Sequence, residues 1–414
     1  MSNLHPLAMV PVDTRTTGPL VLKLGGSLLR SPAHLVQALD TLRHHPEYGK
    51  GGVLVVSAFQ GETDRLTQLC GSTIDPAQRR EKDAVLATGE QTSAALCAAL
   101  LKSMGLSATS LTVEQSGLRT DRRYNDASVE LVDGSCLVPA LERHRYVVLP
   151  GFIGRDAEGN LTTLGRGGSD LTAVILAVTL GATCVLLKDV PGIHTADPAL
   201  CDAARRIERL SYEDLLILTS LGSKIIQAKA VLLARRHRVP LVLRTLEAEG
   251  TVIDECGEKG RGALGVVHQK DYLRLYLSGR AEAGELVQVL REILCGWRVR
   301  IEDVTERRLG SGAIGLECSL HPASACGELG KVLADHPSFK ELACQIRPAL
   351  ARVTLIERQD LTVERLSGYE RALTARTIQV HHLHLAGRLA HFLVDSTDLG
   401  AAVDRLHNSA LAAG

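Results

Sequence analysis

The stretch Thr163–Asp170 (TLGRGGSD) gathers three glycines, an arginine, a serine and an aspartate directly ahead of an apolar run that starts at Leu171. An arginine grips a carboxylate through two parallel N–H donors. Glycine amides at the start of a helix, together with the positive end of its dipole, favour an anion. Asp170 is suited to hold a lysine in place or to help position a metal-bound phosphate. A Ser-Asp pair that only capped the helix would need neither Arg166 nor three glycines, so the cluster points to anion chemistry.

Three weaker clusters precede it. Lys23-Leu24-Gly25-Gly26-Ser27 ends an apolar run. Its glycines let backbone amides approach phosphate oxygens, a helix expected just after adds its positive end, and Lys23 supplies a mobile point charge. This is not a P-loop, because the G-x-x-x-x-G-K-[ST] spacing is absent from the chain. In Val56–Asp64 (VSAFQGETD), Ser57 and Thr63 place hydroxyls where they can bond a small polar ligand. Thr63 or Asp64 can equally cap a helix over Arg65–Leu69. Gly89-Glu90 opens or interrupts an apolar helix. Among Ala87, Ala94, Ala95 and Leu96, Glu90 reads either as an anion for an amine or as a solvated first-turn acid.

The elements that must position these groups alternate. Short runs rich in β-branched residues (Pro19–Leu24, Gly52–Val56, Tyr146–Leu149, Val185–Leu187, Val239–Arg244) are separated by helical patterns such as Ala84–Met104 and Leu171–Leu180. Strands buried on both faces and joined by helices predict a three-layer α/β/α unit with a mostly parallel sheet. Ligands in such sheets sit beyond the carboxyl ends of the strands, where nearly all the clusters fall. The glycine-rich segment TVIDECGEKGRGALGVV, 251–267, reads as a boundary. Beyond it, strand and helix patterns repeat as two βαββαβ-like cycles, predicting a tandem pair of small ferredoxin-like α+β modules over 268–414.

Composition narrows the class. At 414 residues the chain has room for two or three domains, and its formal net charge is zero, so nothing draws it to nucleic acid or to an anionic membrane. The ten cysteines include no C-x-x-C pair, and Cys97, Cys184 and Cys295 sit in apolar runs, as buried free thiols of a reducing compartment would. Residues 1–18 read as a loose tail without a signal peptide, and the uncharged stretch Leu171–Leu187 is broken by Gly181 and reads as helix, turn and strand. The expectation is a soluble cytoplasmic protein.

Taken in order, GFIGRDAEGNLTTLGRGGSDLTA, KDVPGIHTADP, GSKIIQAKAV and RTLEAEGTVI resemble the aspartate kinases of the amino-acid kinase superfamily over residues 19–267. TLGRGGSD is the part that separates this group from acetylglutamate, glutamate, carbamate and uridylate kinases. The resemblance implies that Lys23 neutralises charge on a transferring phosphoryl group and that Asp170 orients it. It implies that Ser57, Thr63, Glu90, Arg166, Gly168 and Ser169 bind the amino acid, with Glu90 toward its ammonium and Arg166 toward a carboxylate. Gly25, Gly26 and Ser27 would line the phosphate path. Lys188, Asp189, His194, Thr195, Asp197, Lys224 and Ile225 would hold ATP, with Mg2+ bound through the nucleotide and no metal site of the protein's own. The chemistry implied is in-line attack of the aspartate side-chain carboxylate on the γ-phosphoryl, which needs no general base.

The chain departs from the family pattern at Leu28, Gln60, His194 and Ala199, where the family usually carries a hydroxyl, a glycine, a tyrosine and an arginine. The C-terminal part resembles paired ACT modules, most clearly in RLAHFLVDSTDLGAAVDRLHNSAL. Its approach, VTLIERQDLTVERLSGYERAL, lacks the small-residue turn that usually receives an effector, so these modules are expected to join a homodimer, with feedback control uncertain or lost. His382 and His384 share one face of a strand while His381 points away, and the cluster reads as a plain strand rather than a metal site. A paralogue that activates another amino acid, and an idle ACT-based sensor subunit, are the competing functions.

Overall fold

The computed structural model describes residues 8–9, 20–75, 77–222, 225–258, 262–309, 313–375 and 377–411. Two compact units form. One comprises the chain up to Ile193 and the stretch that resumes at Arg206; the other comprises His194–Arg205 and the chain from Gly260 onward.

The first unit is built on an eight-stranded sheet. Its strands are β1 (Leu20–Leu24), β2 (Gly52–Val56), β3 (Ala108–Ser110), β4 (Tyr146–Pro150), β5 (Cys184–Leu187), β6 (Arg209–Ser211), β7 (Leu241–Arg244) and β8 (Thr251–Asp254), in the spatial order β6-β8-β7-β5-β1-β2-β4-β3. All neighbours are parallel except β7 and β8. The apolar runs LVLKL, GVLVV, YVVLP and CVLL are buried almost throughout, as strands covered on both faces must be. Register decides the site: Leu187 pairs with Leu24, Leu24 with Val56 and Val56 with Pro150. The carboxyl ends of four central strands therefore finish in one row, which sets Lys188, Gly25, Ser57 and Gly151 side by side.

The helices of this unit are α1 (Pro32–His44), α2 (Glu62–Thr73), α3 (Arg79–Ser103), α4 (Leu137–Arg143), α5 (Gly168–Leu180), α6 (Tyr212–Ser220) and α7 (Ala228–His237). By length and composition α3 could cross a membrane, yet Ala94, Cys97, Ala98 and Leu101 place it in the core against β1, β2 and β4. Every residue of α5 is buried, and Gly181 ends it in the left-handed conformation at φ 59° before β5 begins, as the uncharged stretch implied.

A second, five-stranded sheet was not expected. It joins Leu118–Thr120, Val129–Val132, Ile153–Arg155 and Leu161–Thr163 with the two residues Ala8–Met9, which pair in parallel with Leu131 and Val132. Strands of three or four residues are too short to show a period. The tail is accordingly not loose at Ala8–Met9, and its other residues up to 18 lie outside those described.

The second unit carries one six-stranded antiparallel sheet. Its strands are β9 (Ala263–Gly279), β10 (Arg300–Arg308), β11 (Ile314–His321), β12 (Ala343–Glu357), β13 (Val380–Ala386) and β14 (Leu389–Asp395), ordered β10-β11-β9-β12-β14-β13. The boundary expected at residue 267 falls inside β9, and the units divide at residue 260 instead. The two modules are not strung in tandem either. β9 and β12 run through both, so that the later half of β9, α8 (Ala283–Gly296), β10, β11, α9 (Leu329–Asp335) and the start of β12 form one module. The rest of β12, α10 (Val363–Thr374), β13, β14 and α11 (Leu399–Leu411) form the other, completed by the first half of β9. One module is inserted in the other, an arrangement that local periodicity does not reveal.

Both long strands are creased at the same level. Asp271 on β9 and Ala349 on β12 have left-handed φ of 71° and 58°, and the β9–β12 register shifts between Gln269 and Arg274. A flat six-stranded sheet would separate its edges by about 24 Å. Yet His382 Nε2 on edge strand β13 lies 3.6 Å from Asp303 Oδ1 on edge strand β10. The sheet therefore folds over on itself, with apolar clusters outside under the helices and a polar layer within.

Cys97 and Cys184 are buried as expected, but Cys295 is exposed: Leu294 takes the core-facing position at that end of α8 and the next residue turns outward. The histidines lie on β13 as expected of a plain strand, though acids do stand nearby, with His381 Nε2 3.0 Å from Asp395.

Candidate functional site

A cleft of about 540 Å³ opens beyond the carboxyl ends of β1, β2 and β5 and the start of α5. Lys23, Ser57, Thr63, Glu90, Arg166, Gly168, Ser169, Asp170 and Lys188 all line it. Residues far apart in sequence thus meet because parallel strands end together.

At its floor Asp170 is shared by two lysines. Lys23 Nζ lies 2.9 Å from Oδ1 and Lys188 Nζ 3.3 Å from Oδ2. Lys188 also donates to the carbonyl of Ile225. Burial works to raise the Asp170 carboxyl, but the attraction of Lys23 and Lys188 outweighs it and holds the group below the usual carboxylate range. Burial draws the Lys188 ammonium down, against the pull of Asp170. Two cations face one anion, so the floor carries a surplus positive charge aimed at the cleft.

The glycines of TLGRGGSD are required by geometry. Gly167 caps α5 at φ 78°, and a side chain on Gly168 would come within 2.8 Å of Leu164 Cβ. The loop they form leaves Arg166 exposed at the rim, and among the described residues no side chain is hydrogen-bonded or ion-paired to it. It is thereby available to an incoming carboxylate.

Glu90 stands near the middle of an unbroken α3, not at a helix start, so the reading as a solvated first-turn acid falls. It is 3% exposed, accepts the Ala58 amide at 3.3 Å, and keeps Oε2 without a partner among the described residues. Burial pushes its carboxyl up to about 7, against the hydrogen bonds from the Ala58 amide and from its own backbone. A buried carboxylate with a spare oxygen toward a cleft is suited to an ammonium. Thr63 does not cap α2 either; Gly61 at φ 80° is the N-cap, and Thr63 and Asp64 sit in the first turn, both on the cleft wall.

The loop after β1 departs from expectation. Turns occupy residues 26–29, with Leu28 and Leu29 amides bonded to the Gly25 and Gly26 carbonyls, and α1 begins only at Pro32, capped by Ser31. No helix end stands at Gly25–Ser27, so that loop offers amides without a helix dipole. Gly25 itself donates to Leu187 O at 3.0 Å, tying β1 to β5 beside Lys23.

A family model described as the amino acid kinase family matches residues 18–245. The chain belongs to the amino acid kinase family. An aspartate kinase of Pseudomonas putida is 38% identical over 63% of this chain, which spans 65% of that relative's length. An aspartokinase of Helicobacter pylori is 32% identical over 69% of this chain and 73% of its own. The solved structure of Escherichia coli aspartokinase III in complex with lysine and aspartate has the same fold, with a TM-score of 0.77 over 95% of this chain and 99% of that one at 20% identity.

Within this family member, the remaining expected residues that the structure describes do not line the cleft. Gly25, Gly26, Ser27, Asp189 and Ile225 border its floor in sequence without lining it, and Lys224 lies outside the described residues. His194, Thr195 and Asp197 belong to the second unit. There Thr195 Oγ1 shares a hydrogen bond of 2.8 Å with His407 Nε2, the Val266 amide donates to Thr195 O at 2.7 Å, and Ala196 and Cys201 join the apolar core under α11. Sequence reasoning missed Lys82, Asn125 and Phe152 on the cleft wall, and Asp83 behind it. Only Asp83 left a trace, lying seven residues before Glu90 and hence on the same face of α3.

Proposed function

We propose that this protein is an aspartate kinase, which transfers the γ-phosphoryl group of ATP to the side-chain carboxylate of L-aspartate and releases ADP and the acyl phosphate. The observation that carries the reading is the division of one cleft between a cationic floor and an amino-acid wall. Lys23 and Lys188, both held by Asp170, offset the charge of the transferring phosphoryl group. Glu90 takes the acceptor's ammonium and Arg166 a carboxylate, with Ser57, Thr63, Gly168 and Ser169 completing the wall. An ionised carboxylate attacks without a general base, so the residues act by placement and charge.

Gly25, Gly26, Ser27, Asp189, Ile225 and Lys224 are read as the nucleotide side. Magnesium, carried by the nucleotide phosphates, would further neutralise their charge. In the same reading the protein is cytoplasmic and works as a homodimer joined through its second unit.

Trapping the product with hydroxylamine, with ATP and a panel of amino acids, tests the proposal. Aspartyl hydroxamate is expected; hydroxamate only from another acid would replace aspartate as acceptor, and none from any acid would overturn the kinase reading.

A further inference from the structure

Asp83 is 0% exposed, and it lies behind the wall of the cleft rather than in it. Its Oδ2 accepts the Asn125 amide at 2.9 Å and the Thr163 amide at 2.8 Å, and its Oδ1 accepts the Thr163 hydroxyl at 2.8 Å. One carboxylate on α3 therefore clasps two separate loops. Both line the cleft: the first through Asn125, the second through Thr163, Gly165, Arg166, Gly168 and Ser169.

The two loops meet with no space to spare. Asn125 is held at φ 70°, and a Cβ on Gly165 would lie 2.6 Å from Asp126 Oδ1. Asp126 is in turn paired with Lys229 at 2.5 Å. The arginine loop thus has the Asn125 loop against one side and α3 behind it, with Asp83 as the common fastening. A buried carboxylate accepting three donors is costly to replace, because each donor then loses its partner in a dry environment.

We propose that Asp83 is a positioning residue that sets the separation of the two loops and hence the reach of Arg166 toward the acceptor's carboxylate. This rests on the aspartate kinase reading. It predicts a defect confined to the acceptor, since Lys23, Asp170 and Lys188 are anchored on β1, α5 and the end of β5.

The test compares Asp83→Ala, Asp83→Asn and Thr163→Val in the full chain. For Asp83→Ala we expect the KM for aspartate to rise about tenfold with the KM for ATP within about twofold. Asp83→Asn can still accept both amides and should stay within about threefold of the parent. Thr163→Val removes only the hydroxyl bond and should raise the same KM about threefold, which keeps a test in hand if Asp83→Ala does not fold. An unchanged aspartate KM, or equal rises for aspartate and ATP, overturns the proposal. Amide hydrogen exchange separates this result from a failure of the kinase reading. Peptides covering 121–128 and 161–169 should exchange faster in Asp83→Ala and not in Asp83→Asn, whatever the acceptor is; equal exchange in the two variants also overturns the clasp.

Discussion

Each unit of the chain buries charge against a sheet, and the two do so to opposite ends. In the first unit Asp170 faces both Lys23 and Lys188, leaving one positive charge over, and the group opens onto a cleft. In the second, Arg274 is fully buried between the folded halves of the sheet, paired with Asp303 and 3.2 Å from Glu317. It also donates to Ser319 at 2.8 Å and lies 3.0 Å from His382 Nδ1, while Arg307 approaches Glu317 at 3.7 Å. With Arg307, which is itself exposed, two arginines meet two acids and the charges balance. Nearby, Arg352 is satisfied by Glu302 and Gln269, and burial holds His391 neutral down to about 4. A buried network that closes on itself specifies packing; one left with spare charge beside a cleft is prepared for a ligand.

The difference is open to direct attack. The largest effect is expected at the unbalanced site: Lys23→Ala should lower kcat by about a thousandfold with little change in the aspartate KM, because its charge matters most in the transition state. An unchanged kcat would remove Lys23 from the chemistry. The balanced network should respond in stability and not in rate. Arg274→Ala leaves Asp303 without its arginine and Glu317 with only the more distant Arg307, and should cost about 3 kcal/mol in urea unfolding, with kcat unaltered at a permissive temperature. A matching fall in kcat with no loss of stability would erase the distinction drawn between the units.

Glu90 gives the smallest effect and the finest test. Its carboxyl is raised in the folded chain to about 7, so the stability it contributes is fully present below its unfolded pKa and is lost as pH climbs through the folded value. Glu90→Gln should therefore be more stable than the parent at pH 8, by about 1–3 kcal/mol. The same change should weaken aspartate binding about tenfold. In the parent the aspartate KM should fall between pH 6 and pH 8 as Glu90 ionises to meet an ammonium, and in the variant that slope should vanish. A parent KM that is flat over this range would take Glu90 out of acceptor binding.

Much of this was legible because it is local. Runs such as GVLVV and CVLL announce doubly buried strands, and the glycines, arginine and aspartate of TLGRGGSD serve one turn and the helix it starts. What could not be read was decided by distance or by brevity. The sheet of three- and four-residue strands has no period long enough to detect. The inserted module looks like a tandem repeat because each cycle is locally complete, and only the pairing of β9 with β12 shows the nesting. Glu90 and Thr63 each carried two readings, and these parted only when burial and the true helix caps were seen.

From its sequence alone this protein is committed to a parallel α/β unit with glycine-rich turns at its strand ends, since hydrophobic runs and glycine placement act over a few residues. That Lys23 and Lys188 share Asp170, that Asp83 fastens two loops, and that a sheet folds over to enclose Arg274 depend on strand register and on creases in long strands. Those are properties of pairings between distant segments, settled by which register buries the apolar faces and leaves the charges paired.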